Sequence, residues 1–296
     1  MKYYVSFDIG GTSIKHGVID ETGEIVTRGE VPTEARTKGG PGIIEKVKYM
    51  ITDYQTAYTL SGICVSTAGM VDCEKGEVFY ASPLIPDYTG TKIKEILEYE
   101  FGIPCEVEND VNCAGLAESI SGAGKGHGIC LCLTIGTGIG GCIVMGQKVY
   151  HGYSNSACEV GYIKIDGAEY QELASSRVLV QKVEGRRGLK PGTLNGKIIF
   201  QGAGAGDETC MQAINEMTEV IGKGIATICY VLNPEIVILG GGIMAQKEYL
   251  YDKIKAAMEH HLIPAIAERT KLAFAEHQNE AGMLGAFYHF RNRQAG

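Results

Sequence analysis

The sequence predicts an α/β protein built as a duplicated fold of two domains, with a functional cleft between them. Three observations carry that prediction. Two glycine-rich turns, Gly10-Gly11-Thr12-Ser13 and Gly136-Thr137-Gly138-Ile139-Gly140, each join two apolar runs of strand length. Each hairpin heads a section of strands followed by helices, and aligning Gly10 with Gly136 sets an offset of 126 residues (136 − 10). The chain is 296 residues long with 45% apolar and 21% charged residues, enough for one large or two medium domains with buried cores. Glycine is the outlier: 41 residues, about twice the usual share, gathered where backbone must turn tightly or approach a ligand closely.

The elements follow in order. Tyr3 to Ile9 reads as a buried strand and Ile14 to Ile19 as its antiparallel neighbour, and Thr22-Gly23 turns the chain into a third strand, Glu24 to Val31. A helix over Gly42–Leu60 precedes a short β-rich run, Ile63 to Ser66, and helical spacing returns over Thr91–Tyr99, ending near Gly102. Pro104 to Glu108 is a strand, and Val111 to Ile120 a helix with Asn109 or Asp110 near its N-cap. The pattern then restarts with strand Ile129–Ile135 and return strand Gly141–Met145. A long helix, Thr209–Leu232, leads to strand Ile236–Leu239, the turn Gly240-Gly241-Gly242 and a last helix, Ala281–Arg293. The stretch Gly185–Gly206, rich in Gly and Lys, reads as a mobile surface insertion. The expected domains are 1–112 plus 282–296, and 113–281.

Composition narrows the function. With 27 Lys and Arg against 35 Asp and Glu, the net charge is −8, which argues against a nucleic-acid or anionic-membrane partner, since both need clustered cations. Ten scattered cysteines, with no paired C-x-x-C motifs, read as buried reduced thiols of a cytoplasmic protein. The N-terminus reaches Asp8 before a signal-peptide core can form, and no apolar run approaches the ~18 residues of a membrane span.

Four constellations carry chemistry. In Asp8-Ile9-Gly10-Gly11-Thr12-Ser13-Ile14-Lys15 the paired glycines let backbone N–H groups converge on phosphate oxygens, and Thr12 adds a hydroxyl donor. Asp8, ending the first strand, is placed to hold Mg²⁺ directly or through water, and Lys15 to neutralise charge; the Walker A spacing is missing. Gly136, Thr137, Gly138 and Gly140 form a G-x-G-x-G turn followed by strand, which counts against a dinucleotide-binding Rossmann site and for a second phosphate hairpin. Gly240, Gly241 and Gly242 read either as an ordinary tight turn or as backbone lying flat against a nucleotide base or ribose. Glu108-Asn109-Asp110-Val111-Asn112 reads either as helix caps or as a catalytic pair, Asn109 binding a substrate hydroxyl while Asp110 accepts its proton. An ordinary aspartate, with a pKa of about 4, is already ionised at pH 7.

These four motifs in this order resemble the ROK family, sugar kinases and sugar-responsive repressors of the actin-like ATPase superfamily with its ribonuclease H-like domains. The resemblance runs from Asp8 to Ala281-Gly282-Met283-Leu284-Gly285-Ala286. It implies that Asp8, Gly10, Gly11 and Thr12 face ATP phosphates and Mg²⁺, with Gly136, Thr137 and Gly138 opposite. It also implies that Gly240 to Gly242 contact adenosine, that Asp110 is the catalytic base, and that Asn109, Glu159 and Glu172 hold sugar hydroxyls.

Two departures matter. The family's zinc motif needs a histidine after Glu-x-Gly and a cysteine cluster downstream; here Glu159-Val160-Gly161-Tyr162 is followed by no cysteine as far as Glu172, so no zinc site is expected. That leaves the Tyr162 hydroxyl to replace the histidine's sugar contact. Ala81-Ser82-Pro83-Leu84-Ile85-Pro86-Asp87-Tyr88 stands where many glucokinases of the family carry Asn-Leu-Pro-x-Trp. The Glu-x-Gly-Tyr variant, with the Ala-Gly-x-x-Gly-Ala-x-Tyr-His-Phe ending, is similar to the zinc-free branch that includes bacterial β-glucoside kinases. The expected reaction is transfer of the ATP γ-phosphoryl group to the 6-OH of a neutral hexose or β-glucoside, with N-acetylmannosamine as the alternative acceptor. ATP and the sugar are the expected small-molecule partners, with a homodimer left open. A repressor would need a DNA-binding extension for which the first strand, starting at Tyr3, leaves no room. An ATPase acting on a protein partner would lack the Asn109, Asp110, Glu159 and Glu172 set.

Overall fold

The computed structural model describes residues 1–295. The chain divides into two compact units, one formed by Met1–Gly122, Gln147–Ala157 and the chain from Asn279 onward, the other by Ala123–Gly146 and Cys158–Gln278. Among the described residues no helix is long and apolar enough to cross a membrane.

The first unit opens with β1 (Tyr3–Ile9), β2 (Ser13–Asp20) and β3 (Ile25–Pro32), followed by α1 (Ala35–Gln55) and β4 (Leu60–Thr67). A small antiparallel sheet of β5 (Met70–Asp72), β6 (Glu77–Tyr80) and β7 (Thr91–Lys92) leads into α2 (Ile93–Phe101), β8 (Cys105–Asn109) and α3 (Asp110–Ser121). The main sheet has the order β3-β2-β1-β4-β8, antiparallel through the hairpins and parallel from β1 to β4 to β8.

The second unit repeats this plan. β9 (Ile129–Ile135) and β10 (Ile139–Met145) form its hairpin, and β11 (Lys148–Val149) lies in the excursion counted with the first unit. Then come the two-strand ribbon β12 (Lys164–Ile165) and β13 (Ala168–Glu169), and helices α4 (Tyr170–Ala174), α5 (Ser176–Arg186), α6 (Gly196–Gly204) and α7 (Glu208–Leu232). β14 (Ile236–Gly240), α8 (Lys247–His261), α9 (Pro264–Ala267) and β15 (Lys271–Phe274) complete the unit. β10, β9, β14 and β15 are neighbours in that order, again antiparallel in the hairpin and parallel thereafter. The offset of 126 (136 − 10) carries Tyr3–Ile9 onto Ile129–Ile135, the bounds of β1 and β9, so the duplication is present in the topology. The final helix, α10 (Ala281–Gln294), returns to the first unit.

Alternation along β1 sorts its side chains. Val5, Phe7 and Ile9 enter a core with Ile43, Val47 and Ile51 of α1 and Leu97 of α2. The even positions face α10: the Tyr4 ring lies 5.3 Å from Phe287 and 5.4 Å from Phe290, and Ser6 donates to the Met283 carbonyl at 2.8 Å. Burying each large aliphatic or aromatic side chain stabilises by about 1.5–3 kcal/mol, so α10 is held along its length. In the second unit Leu131, Leu133 and Ile135 of β9 pack with Ile214, Ile221 and Ile225 of α7.

Several boundaries differ from the sequence reading. A domain limit at 112 would cut α3, whose buried Cys113, Leu116 and Ala117 keep the whole helix in the first unit. The helix expected over Gly42–Leu60 starts at Ala35, with a break at Gly39 (φ +57), and ends at Gln55, because Leu60 already pairs with Tyr3 as the first residue of β4. A Cβ at Gly39 would lie 2.6 Å from the Pro86 carbonyl oxygen, so glycine is required by both conformation and space. The stretch expected to be a mobile insertion, Gly185–Gly206, instead contains α6, capped by Asn195 and buried through Ile199, Phe200 and Ala203. The return strand expected from Gly141 starts at Ile139, since Ile139 and Gly140 pair with Ile135 and Thr134.

Candidate active site

Strand register places a polar row across the first unit's sheet: Lys15 opposite Asp8, Asp8 beside Ser66, and Ser66 beside Glu108. Residues paired in register point to the same face. Ser66 donates to Asp8 Oδ1 at 2.8 Å, and the Lys15 ammonium lies 3.8 Å from Oδ2 while also donating to Asn279 at 3.3 Å. Burial pushes the Asp8 carboxyl above the usual range, opposed by the Ser66 hydrogen bond and the Lys15 charge. The helix α10 closes over this row at a glycine: a Cβ on Gly282 would lie 2.5 and 2.6 Å from the two Asp8 carboxylate oxygens. Ser66 and Gly282 carry no sequence signal of their own, and both are found only through strand register and packing.

The turn after Asp8 is exposed at Gly11 and Thr12. Thr33 ties its carbonyl oxygens back, donating its backbone N–H to Thr12 at 2.9 Å and its hydroxyl to Gly10 at 2.6 Å. With those oxygens occupied and the Gly10 N–H donated to the Ser13 carbonyl at 3.0 Å, the Gly11 and Thr12 amides and the Thr12 hydroxyl are the groups left for an anion.

Asn109 and Asp110 stand where β8 becomes α3. Asn109 is the N-cap, its Oδ1 accepting from the N–H groups of Val111 (2.9 Å) and Asn112 (3.1 Å). Its Nδ2 donates to the Gly69 carbonyl at 2.8 Å and to Asp110 Oδ1 at 2.9 Å. The amide's four hydrogen-bonding positions are thus filled, and a substrate hydroxyl at Asn109 must displace one of them. Asp110 Oδ1 also accepts from Val111 N–H at 2.9 Å. Surrounding protein pushes the half-buried Asp110 carboxyl up to about 7, with the Asp8 charge adding to the rise and the hydrogen bonds opposing it. The ordinary aspartate pKa expected from sequence does not hold in this setting.

In the second unit, Gly136 and Thr137 line a groove of about 660 Å³ together with Gly242, Ser176, Arg177, Asn195 and Lys197. The volume is of ligand-pocket size. The Ser176 N–H and hydroxyl both donate to the Gly136 carbonyl, at 2.8 and 2.7 Å, which orients the turn from the start of α5. Gly241 (φ +101) would bring a Cβ within 2.3 Å of the Ile135 carbonyl oxygen, so the triple-glycine turn lies directly against the end of β9. Gly140 sits inside β10, paired to Thr134, rather than in the turn.

Glu159, Tyr162 and Glu172 also lie in the second unit. Gly161 fits its 3₁₀ turn against β10 where a Cβ would meet the Ile139 carbonyl oxygen at 2.4 Å, leaving Glu159 and Tyr162 exposed on either side. Burial of part of the Glu159 carboxyl raises its pKa. Glu172 is exposed and bonded to Arg177 at 2.5 Å. The segment Ser82–Tyr88 is anchored in the first unit by buried Tyr88, whose hydroxyl pairs with the Thr67 hydroxyl at 2.6 Å.

Comparison with known proteins adds to this geometry. The model of the ROK family matches residues 4–293. A beta-glucoside kinase of Listeria innocua is 32% identical over 293 residues, covering 96% of this chain and 96% of that protein. A solved structure from Listeria monocytogenes, provisionally described as an N-acetylmannosamine kinase, matches with a TM-score of 0.89 and 31% identity over 99% of both chains. A ROK family glucokinase from Streptomyces griseus, solved with glucose and AMPPNP, matches with a TM-score of 0.82 and 28% identity, covering 96% of this chain and 97% of that one. These likenesses show the two-domain actin-like ATPase fold.

Proposed function

The chain belongs to the ROK family, and on that premise we propose that it is an ATP-dependent sugar kinase transferring the γ-phosphoryl group to the 6-OH of a neutral hexose or β-glucoside. The observation that carries this reading is the Asp110 carboxylate, held by the start of α3 on the sheet that also presents Asp8, Ser66 and Lys15. Asp110 orients the acceptor hydroxyl and takes its proton, and Asn109 and the α3 N-terminus fix that carboxylate in place.

The phosphates are held by the amides of Gly11 and Thr12, with Lys15 offsetting charge, and the second hairpin offers those of Thr137 and Gly138; the Gly10 and Gly136 N–H groups close their own turns, onto the Ser13 and Gly138 carbonyls at 3.0 and 2.9 Å. The groove beside Gly240, Gly241 and Gly242 takes adenosine. The donor set at Asp8 fits Mg²⁺: a carboxylate with one oxygen secured by Ser66 offers the other as a hard ligand, with water completing the shell. The ion, when bound, supplies charge neutralisation to the transferring phosphoryl group. The S. griseus complex with AMPPNP supports the nucleotide class.

Asp110, Glu159 and Glu172 offer acceptors, and Asn109 joins them by giving up one of its present bonds, which suits a neutral polyhydroxyl ring and disfavours a substrate already carrying phosphate or carboxylate. The L. innocua kinase supports a β-glucoside, and the L. monocytogenes structure supports N-acetylmannosamine as the second reading. Coupled ADP release with glucose, cellobiose and N-acetylmannosamine separates them. A higher kcat/KM on glucose or cellobiose supports the first reading and a clear preference for N-acetylmannosamine the second. ADP formation at background on every neutral sugar overturns both.

A further inference from the structure

Four side chains from distant parts of the sequence converge behind the catalytic segment of the first unit. Glu108 is fully buried and divides its carboxylate between two tasks. Its Oε1 accepts from the Asn109 N–H at 2.7 Å and from the Asn112 amide at 3.0 Å, which fixes the group's orientation. Its Oε2 faces Cys73 Sγ at 3.4 Å, His151 Nε2 at 2.6 Å and His289 Nδ1 at 3.4 Å. The donor atoms of Cys73, Glu108 and His151 all lie within 4.8 Å of one another.

We propose that Cys73, Glu108 and His151 form a zinc site, distinct from the Mg²⁺ and sugar positions, because their three donor atoms already stand within 4.8 Å of one another, leaving water as the fourth ligand.

Geometry supports this first. With Zn–S of about 2.3 Å and Zn–N or Zn–O of about 2.0–2.1 Å, neighbouring ligand atoms of a tetrahedron stand about 3.3–3.6 Å apart. The Cys73–Glu108 separation, 3.4 Å, is an edge of that size. Only His151, at 2.6 Å, has to withdraw, and it is the one partly exposed member and so has room to move.

The donor types agree: thiolate, imidazole and carboxylate suit Zn²⁺ and not Mg²⁺ or Ca²⁺. The charges balance as well. On coordination the Cys73 thiol releases its proton to solvent and the His151 imidazole binds neutral, so thiolate and carboxylate cancel the dication and leave a site without net charge. The nearby Arg293 is already engaged by Glu74, at 2.9 Å in one of two bonds.

These residues are not those of the family's zinc motif, on whose absence at Tyr162–Glu172 the sequence expectation of no zinc rests. The site would join the β5–β6 turn, the end of β8 and the excursion Gln147–Ala157, next to Asn109 and Asp110.

The test uses untagged full-length protein, stripped by chelator and titrated with Zn²⁺ and, separately, Co²⁺. The expected result is one equivalent of Zn²⁺ per chain, a raised melting temperature, and a Co²⁺ spectrum with a thiolate charge-transfer band and intense tetrahedral bands. Cys73→Ser should remove the thiolate band, and His151→Gln should weaken Zn²⁺ binding at least tenfold. Wild-type protein that takes up no Zn²⁺, or a Co²⁺ spectrum without a thiolate band, overturns the proposal without reference to any variant. Binding that both variants leave unchanged places the metal elsewhere and overturns it equally.

Discussion

Gly282→Ala tests whether the packing of α10 sets the position of Asp8. The added methyl would stand 2.3 Å from the Asp8 carboxyl carbon and 2.5 Å from Oδ1, against a comfortable carbon–carbon separation of about 3.5–4.0 Å. Relief requires Asp8 to swing away from Ser66, giving up the 2.8 Å hydrogen bond, or α10 to lift from the sheet and loosen Phe287 and Phe290 around Tyr4. The first route loses about 1.5–3 kcal/mol for a hydrogen bond to a charged group, and overpacking of this kind costs about 1–3 kcal/mol. At roughly 2–4 °C per kcal/mol for chains of this class, the melting temperature should fall by about 3–10 °C. Mg²⁺-dependent ATP affinity should fall about tenfold, read by calorimetric titration. Gly285→Ala is the control: its methyl would strike the Cys113 carbonyl and not Asp8, so it should destabilise with a smaller effect on ATP. A Gly282→Ala protein with wild-type melting temperature and ATP affinity would show that Asp8 is not held by this contact.

Three further outcomes are expected. Gly241→Ala forces a non-glycine residue to φ +101 with its Cβ 2.3 Å from the Ile135 carbonyl oxygen; strain of about 1–3 kcal/mol should appear as lost stability and weaker binding of adenosine nucleotides. Tyr162→Phe should raise the sugar KM about 2–10-fold, the value of one hydrogen bond, with KM for ATP unchanged; an unchanged sugar KM removes Tyr162 from the sugar site. Tyr88→Phe leaves the buried Thr67 hydroxyl without its 2.6 Å partner and should cost about 1 kcal/mol in chemical denaturation, with wild-type stability showing that the pair contributes nothing.

The parts of the fold legible in the sequence are those with local causes. β1 and β9 were bounded to the residue because short apolar runs end at glycine turns, and α3 was marked by its Asn-Asp start. α5 is different: its apolar run Val178-Leu179-Val180 carries two β-branched residues, and it is helical because Val178, Leu179 and Val183 are buried, with Leu179 and Val183 joining the core that holds α7. α6 is obscured by glycines at both ends, and the Asn195 cap with the burial of Ile199, Phe200 and Ala203 accounts for its order. The polar row Lys15-Asp8-Ser66-Glu108 depends on strand register, which no linear spacing reveals. The Cys73, Glu108, His151 and His289 group joins four segments that share no motif.

The most direct test of the central claim is Asp110→Asn, an isosteric change that removes proton acceptance while leaving the side chain's size unaltered. Sugar-dependent ADP release should fall by about 10²–10⁴-fold, the range for loss of a positioned general base, while the dissociation constant for ATP with Mg²⁺ stays near that of the wild type. A variant that turns over a neutral sugar within a few-fold of the wild-type kcat would leave Asp110 as a cap of α3 and contradict the account.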